Sequence, residues 1–471
     1  MAKRTPAEYK AGRPRFYPSQ RRAFPQFQLR PQWWNWTGLK RSIDQRLIAQ
    51  GPEELSQEKV AGLRFFWLDG VFASFSDNII VSFIGVFVLA YGATNGQIGL
   101  MTAIANLFAV LALFPGAAAS DKSPNRKRLV LVTGGGIGRL FIIPLAILPF
   151  FGLGAQTAIW VIILINAVRS FMGSYANPAW TGIVADLVPA DRRGRYFSER
   201  SFTMGIAALV VTSLGGVMIR RLNGVGGAEF FGFQMAWFAA FAFGVLSTIS
   251  FSRIPDRRPA ATGEKTEMKP LRVVLRGHPI FVAFLVGALV WNLSIQTAAP
   301  FFNIFLINEL GGTVQTVGLT AGVTSVAGLV GLLVFGRRSD RKGSLSVIRE
   351  SGAVIPLLPI AWSLATETWH VYLIVAVAGF AWAGYNLANF NLLLELAPPE
   401  ARARSVALYQ TVVFTAAVVG PLLGGVLIDL LSYRTVFLAT GIGRLVGIGL
   451  FLCLIQVHKS RQANSGGTTA A

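Results

Sequence analysis

Twelve apolar blocks organise this chain, at about 63–91, 96–120, 129–151, 157–185, 201–222, 233–254, 279–309, 313–337, 347–366, 369–397, 405–430 and 435–457. Each is roughly 20 residues or longer, enough to cross ~30 Å of hydrocarbon as a helix. Lipid offers a backbone no hydrogen-bond partners, so spans of this length close their own bonds as α-helices. Only 14% of the residues are charged, against about a quarter in soluble domains. These features exclude a soluble fold and predict an all-α, polytopic membrane protein with twelve transmembrane helices. The net charge of +21 is then a matter of topology, and no nucleic-acid partner is expected.

Charge also sets orientation. With the N-terminus in the cytoplasm, only Arg220, Arg221 and Arg434 fall near the outer ends of spans, while the other loops between spans place their Lys and Arg inside. Both termini are therefore expected in the cytoplasm. The organisation that follows is a basic, aromatic tail (1–62), a first six-helix bundle (63–254), a cytoplasmic linker (255–278), a second bundle (279–457) and a C-terminal tail (458–471). Within the first tail, Trp33, Trp34 and Trp36 precede an apolar stripe interleaved with Lys40, Arg41 and Arg46. That pattern fits an interfacial helix, a basic segment held near anionic lipid, or a docking surface for a membrane partner.

The two bundles are copies. Ser120-Asp121-Lys122 recurs as Ser339-Asp340-Arg341, and Gly99 and Gly318 precede the two aspartates by the same interval, 22 residues. Asp186-x-x-Pro189-x-x-x-Arg193-x-Arg195 recurs as Glu395-x-x-Pro398-x-x-x-Arg402-x-Arg404, and Gly215-Gly216 as Gly424-Gly425, both at an offset of 209. A tandem duplication accounts for all three echoes. It predicts two pseudo-symmetric six-helix bundles around a central cavity.

Polar side chains cluster on the first and fourth helix of each half, at spacings of three and four that make one stripe per helix. They are Asp77 and Asn78; Asn166, Arg169 and Asn177; Asn292, Gln296 and Asn303, with Pro300 placed to break the helix; and Trp382, Tyr385, Asn386 and Asn389. Such stripes face a bundle interior or a water-filled cavity. Asp77 and Arg169 lie mid-span, where an unpaired charge costs at least ~2.5–3.5 kcal/mol. Each is the obvious partner of the other, as a static packing pair or as a coupling carboxylate beside an anion anchor. Arg139 and Arg444 are also mid-span, on helices without a polar stripe, and read as packing. The Gly134–Gly138 run has no preceding soluble strand and reads as close helix packing, not a nucleotide loop. Cys453 is the single cysteine and only three histidines are scattered along the chain, so neither a metal site nor a cofactor is expected.

Twelve spans in two halves, each with an Asp-basic loop after its second span, resemble the major facilitator superfamily of transporters over about 63–457. The loop signature Gly-x-x-x-Asp-Arg/Lys-x-Gly-Arg/Lys is matched at Gly336, Asp340 and Arg341, while Ala117 replaces the glycine in the first copy. Arg169-x-x-Met172-Gly173 is similar to the family's proton-coupling pattern, departing at Met172 and Tyr175. The antiporter signature Gly-Pro-x-x-Gly-Gly stands complete at Gly420–Gly425, in the eleventh span and not the fifth. The resemblance implies a secondary transporter, monomeric and not an enzyme. It would move a small anionic or amphipathic solute by alternating access in the plasma membrane, with the proton as coupling ion. It also implies a cytoplasmic gate made of Asp121, Lys122, Asp186, Arg193, Gly336, Asp340, Arg341, Glu395 and Arg402, with Lys122–Asp186 and Arg341–Glu395 as ion pairs. Asp340 would cap the helix starting near 405. The basic, aromatic tail keeps open a non-transporting assembly or delivery factor on the same scaffold.

Overall fold

A computed structural model describes residues 57–188, 193–225, 229–256, 279–396 and 402–466. The expectations for residues 1–56, most of the linker and the last five residues lie outside the described residues, as do those for the side chains of Arg193, Asp340, Glu395 and Arg402.

The helices follow the apolar blocks closely. The first half holds α1 (Gln57–Ala90), α2 (Asn95–Lys122), α3 (Arg126–Phe151), α4 (Ala155–Leu187), α5 (Arg193–Leu222) and α6 (Phe231–Ser252). In the second half, α7 runs over Pro279–Ala298, a 3₁₀ turn at Ala299–Phe301 and Phe302–Asn308, broken at Pro300 as expected. It is followed by α8 (Val314–Lys342), α9 (Ser344–Val354 and Leu357–Leu364), α10 (Thr368–Leu396), α11 (Arg402–Leu430) and α12 (Tyr433–Gly466). The last helix continues to Gly466, through most of the segment expected as a C-terminal tail. All of these belong to one unit, Gly51–Ala471.

The duplication extends to backbone detail. Gly92 and Gly311 take positive φ, 80° and 64°, in the turns before α2 and α8. Both turns then end in a capping box, Thr94 with Gln97 and Thr313 with Thr316. In each box the hydroxyl accepts from the third backbone N–H of the helix while the third side chain answers the cap's own N–H, satisfying donors that lipid or interface would strand.

Within the first half, α1 packs on α5 and α6, α2 on α4, and α3 on α4 and α6. The second half repeats this, with α7 on α11 and α12, α8 on α10, and α9 on α10 and α12. The halves meet along α2–α11 and α5–α8. One hydrophobic core crosses between them at the end away from the basic loops, from Phe83 and Phe87 to Phe301, Phe305 and Phe437. A separate core, around Phe284, Trp291, Phe335 and Tyr385, lies wholly in the second half. The structure is thus held shut at the far end.

Backbone lies on backbone along both seams. A Cβ at Gly99 would stand 2.3 Å from the Pro421 carbonyl oxygen, and one at Gly318 would stand 2.3 Å from that of Thr212. Glycine is required because each extra methyl would have to push a helix aside. Gly99→Val is therefore expected to lower the thermal unfolding temperature of the detergent-purified protein, at a cost of ~1–3 kcal/mol. Gly85→Ala, where nothing lies within 4 Å of the added Cβ, is the control expected to match wild type. Equal stability of all three proteins would remove the seam from the folding account.

Candidate functional site

The charges of the first half do not pair as their helical spacing implies. Asp77 is bound by Arg139, not by Arg169. The Arg139 Nη1 donates to Asp77 Oδ1 at 2.6 Å and to Ser76 Oγ at 2.9 Å. The reason is local to α3, whose glycine run opens into a π turn at Thr133–Ile137. One extra residue in that turn rotates everything after it, which places Arg139 toward α1 and α6. A Cβ on Gly244 of α6 would stand 2.7 Å from Arg139 Cδ, so the side chain needs that glycine to pass. Thr248 on α6 donates to the Gly135 carbonyl at 3.0 Å, serving the loosened turn.

Among the described residues, Arg169 has one weak bond, from Nη2 to Asn166 Oδ1 at 3.4 Å, and its buried Nε has no partner. Asp77 attracts it and Arg139 repels it through space. Three charged groups from α1, α3 and α4 therefore share one region, with an excess of one positive charge. The Asp77 side chain is 50% exposed while that of Arg139 is 15% exposed, so the carboxylate faces open space and the guanidinium backs it.

A second acid on α1 behaves differently. Asp69 accepts from Ser247 Oγ at 2.7 Å and lies 3.8 Å from Arg200 Nη2, with both charged side chains under 10% exposed. Arg200 also donates to the Phe66 carbonyl and lies over the Phe66 ring, 4.0 Å from its centroid. This ion pair ties α1, α5 and α6 together in the closed core of the half. The sequence signal for it is weak, because Arg200 stands just before the fifth apolar block begins and reads as a loop residue.

Other polar positions divide in two groups. Asn78 donates to the Ser74 carbonyl and hydroxyl, Asn292 to the Ala288 carbonyl, and Thr181 to Asn177, so these amides engage their own helices. Gln296 and Asn303 are half-buried, and Asn386 is exposed. In the second half, Asn389 donates to Tyr409 Oη at 2.9 Å, and Tyr385 meets Trp382 and Trp291 at ring-centroid distances of 5.5 and 5.2 Å. Phe284, Ala288, Trp291, Tyr385, Asn389 and Tyr409 line a narrow pocket there. Trp291 and Tyr409 escape the polar-stripe argument because aromatics in a span look like core. The charged cluster is thus built from first-half helices and the aromatic pocket from second-half helices. Among the described residues, no three His, Cys, Asp or Glu gather to hold a metal.

At the basic end, Asp186 is taken by Arg126 at 2.7 Å, and the same guanidinium reaches Asp256 at 2.9 Å. The expected Lys122–Asp186 pair is absent; Lys122 is exposed, as is Arg341. Arg126 wins because it begins α3 beside the end of α4, whereas Lys122 ends α2 on the outside of the turn. Lys127 adds bonds to Asp256 and the Ile254 carbonyl. This cluster fixes the start of the linker to the first half. Gly336 has nothing within 4 Å of an added Cβ, so it is not a close-approach point in this structure.

The fold has known counterparts. A family model for the Major Facilitator Superfamily matches residues 66–414 and 293–470. The chain is 22% identical over 388 residues to a multi-drug resistance efflux pump PmrA homolog of Lactococcus lactis, covering 81% of this chain and 92% of that one. It is 23% identical to the multidrug resistance protein MdtG of Enterobacter lignolyticus (80% and 88% covered) and 19% identical to the quinolone resistance protein NorA of Staphylococcus aureus (82% and 94%). Among solved structures, a bacterial homolog of the human lysosomal transporter Spinster, inward-facing and unoccupied, superposes with a TM-score of 0.64 at 15% identity, covering 85% and 97% of the two chains. The nucleoside transporter NupG gives 0.62 at 14% identity, covering 85% and 99%. With the family match spanning most of its length, and twelve helices packed as two repeated halves, the chain belongs to the Major Facilitator Superfamily of membrane transporters.

Proposed function

We propose that this transporter moves amphipathic organic solutes out of the cell by alternating access, driven by protons, with Asp77 as the coupling carboxylate. The observation that carries this reading is the half-exposed Asp77, held by Arg139 beside Arg169, whose buried Nε is unmet, inside the membrane. Protonating Asp77 would release Arg139 and leave two guanidinium groups facing each other, an arrangement the low-dielectric region strongly disfavours. Protonation and rearrangement of the first half are then one event. The aromatic wall of Trp291, Tyr385 and Tyr409 suits the apolar part of an amphiphile, and Arg169 suits a carboxylate on it. Relatives named for multidrug and quinolone resistance favour the export direction.

In this reading the protein works as a monomer in the plasma membrane. Its basic ends and both termini face the cytoplasm, following the excess of Lys and Arg there. Asp121, Lys122, Arg193, Gly336, Asp340, Arg341, Glu395 and Arg402 remain the proposed inner gate. Asp186 and Arg126 serve instead as an anchor within one half.

The two acids of α1 separate stability from transport. Asp69→Asn strands the buried Arg200 and is expected to cost ~3–5 kcal/mol of stability, seen as a large drop in unfolding temperature. Asp77→Asn leaves a half-solvated site and costs far less, yet is expected to abolish pH-gradient-driven accumulation of a quinolone in everted vesicles. A folded Asp77→Asn protein with full gradient-driven transport would eliminate the coupling role. Arg169→Ala is expected to weaken binding of carboxylate-bearing solutes while sparing uncharged ones, measured by ligand-induced shifts in unfolding temperature. Equal loss for both solute classes would make Arg169 a packing residue.

A further inference from the structure

The far end of the molecule carries a duplicated seam with one break in its symmetry. Gly425 of α11 lies against α2, where an added Cβ would be 2.8 Å from the Asn95 carbonyl oxygen; Gly216 of α5 lies against α8 in the same way, 2.8 Å from that of Val314. The two glycines are related by the offset of 209 seen in the sequence, and their partners by the offset of 219 that links Gly99 to Gly318. Four residues after each glycine the copies diverge, with Asp429 in one seam and Arg220 in the other.

Each of these side chains crosses to the other half, at the start of a helix. Asp429 accepts from Asn95 Nδ2 at 2.9 Å and from the Gly96 backbone N–H at 3.3 Å, at the first turn of α2. Tyr433 donates to the remaining amide oxygen of Asn95, so that the second half takes up both ends of this side chain. Arg220 makes a different contact, from Nη1 to Gln315 Oε1 at 2.7 Å, at the first turn of α8. A helix N-terminus carries partial positive charge from its free N–H groups. An acid there is favoured and a base is not, so Arg220 meets a side-chain oxygen where Asp429 meets backbone.

We propose that Asp429 is the latch of the far-end gate. Its carboxylate, seated on the N-terminus of α2, holds the two halves shut in this state, and must leave Asn95 and Gly96 when the halves rock open there. Arg220, at the equivalent place, contributes only the neutral contact to Gln315, so the two seams are fastened unequally and the α2–α11 seam controls opening. The proposal rests on the halves rocking, as alternating access requires.

The test is the distance between spin labels on the two halves at the far end, Ala155→Cys and Leu431→Cys, in a Cys453→Ser background of the full chain in nanodiscs. Both label sites are exposed. Asp429→Asn keeps the size and removes the charge, and should raise the ratio of long- to short-distance populations about 2- to 5-fold. Asp429→Lys should raise it further. Arg220→Asp rebuilds the acid-on-helix arrangement at the second seam and should lower the ratio below wild type. Gly99→Leu, which forces α2 off α11 by bulk alone, sets the reference for an opened far end. Distances unchanged in both Asp429 variants while Gly99→Leu opens, or opening by Arg220→Asp, would overturn the latch. A Gly99→Leu protein that is folded yet shows no long distance would overturn the rocking itself.

Discussion

Hydrocarbon gives a charged or hydrogen-bonding group nothing to bind, and this single fact organises the molecule. Every described acid within the spans of the first half has a cation brought to it from another helix: Arg200 for Asp69 and Arg139 for Asp77. The two pairs differ in what surrounds them. The first is enclosed and additionally met by Ser247, so it fastens three helices. The second opens to the interior on its acidic side, so it can exchange with water or solute. One chemistry serves as cement in one place and as a proposed moving part in the other, and burial decides which. Among the described residues, Arg169 and Arg444 are the cations whose buried Nε atoms are unmet. Arg169 sits within reach of the fields of Asp77 and Arg139; nothing in the structure explains Arg444.

The second organising feature is the repeat. The backbone-on-backbone approaches between the halves at Gly99 and Gly318, and at Gly216 and Gly425, occur as pairs related by the duplication, and the capping boxes and positive-φ glycines of the far-end turns recur with them. Packing within each half is likewise reproduced helix for helix. Function requires that this symmetry be incomplete. The charged cluster lies in the first half and the aromatic pocket in the second, so in the proposed transport a solute would meet unlike surfaces in the two halves.

The sequence makes the spans readable because hydrophobicity over ~20 residues is a coarse and redundant signal. Pro300 was legible for the same reason: its effect on a helix is local. The partner of Asp77 was not legible. Spacing along α1 and α4 points to Arg169, while the actual contact depends on a π turn in α3 that shifts Arg139 around its helix. A period of 3.6 residues fails after such an insertion, and the glycine run that permits it looks in sequence like ordinary close packing. The Lys122–Asp186 pair failed differently. Family pattern named the acid correctly but could not choose among Lys122, Arg126 and Lys127, which lie within six residues of one another around a single turn.

The seams have one more property. Where no Cβ fits between Gly99 and Pro421, or between Gly318 and Thr212, a lipid methyl group, which is the same size, does not fit either. Acyl chains are therefore kept out along α2–α11 and α5–α8 at the levels where the halves touch. In the proposed transport, a solute at those levels would be sealed from the bilayer sideways and would leave along the axis of the protein.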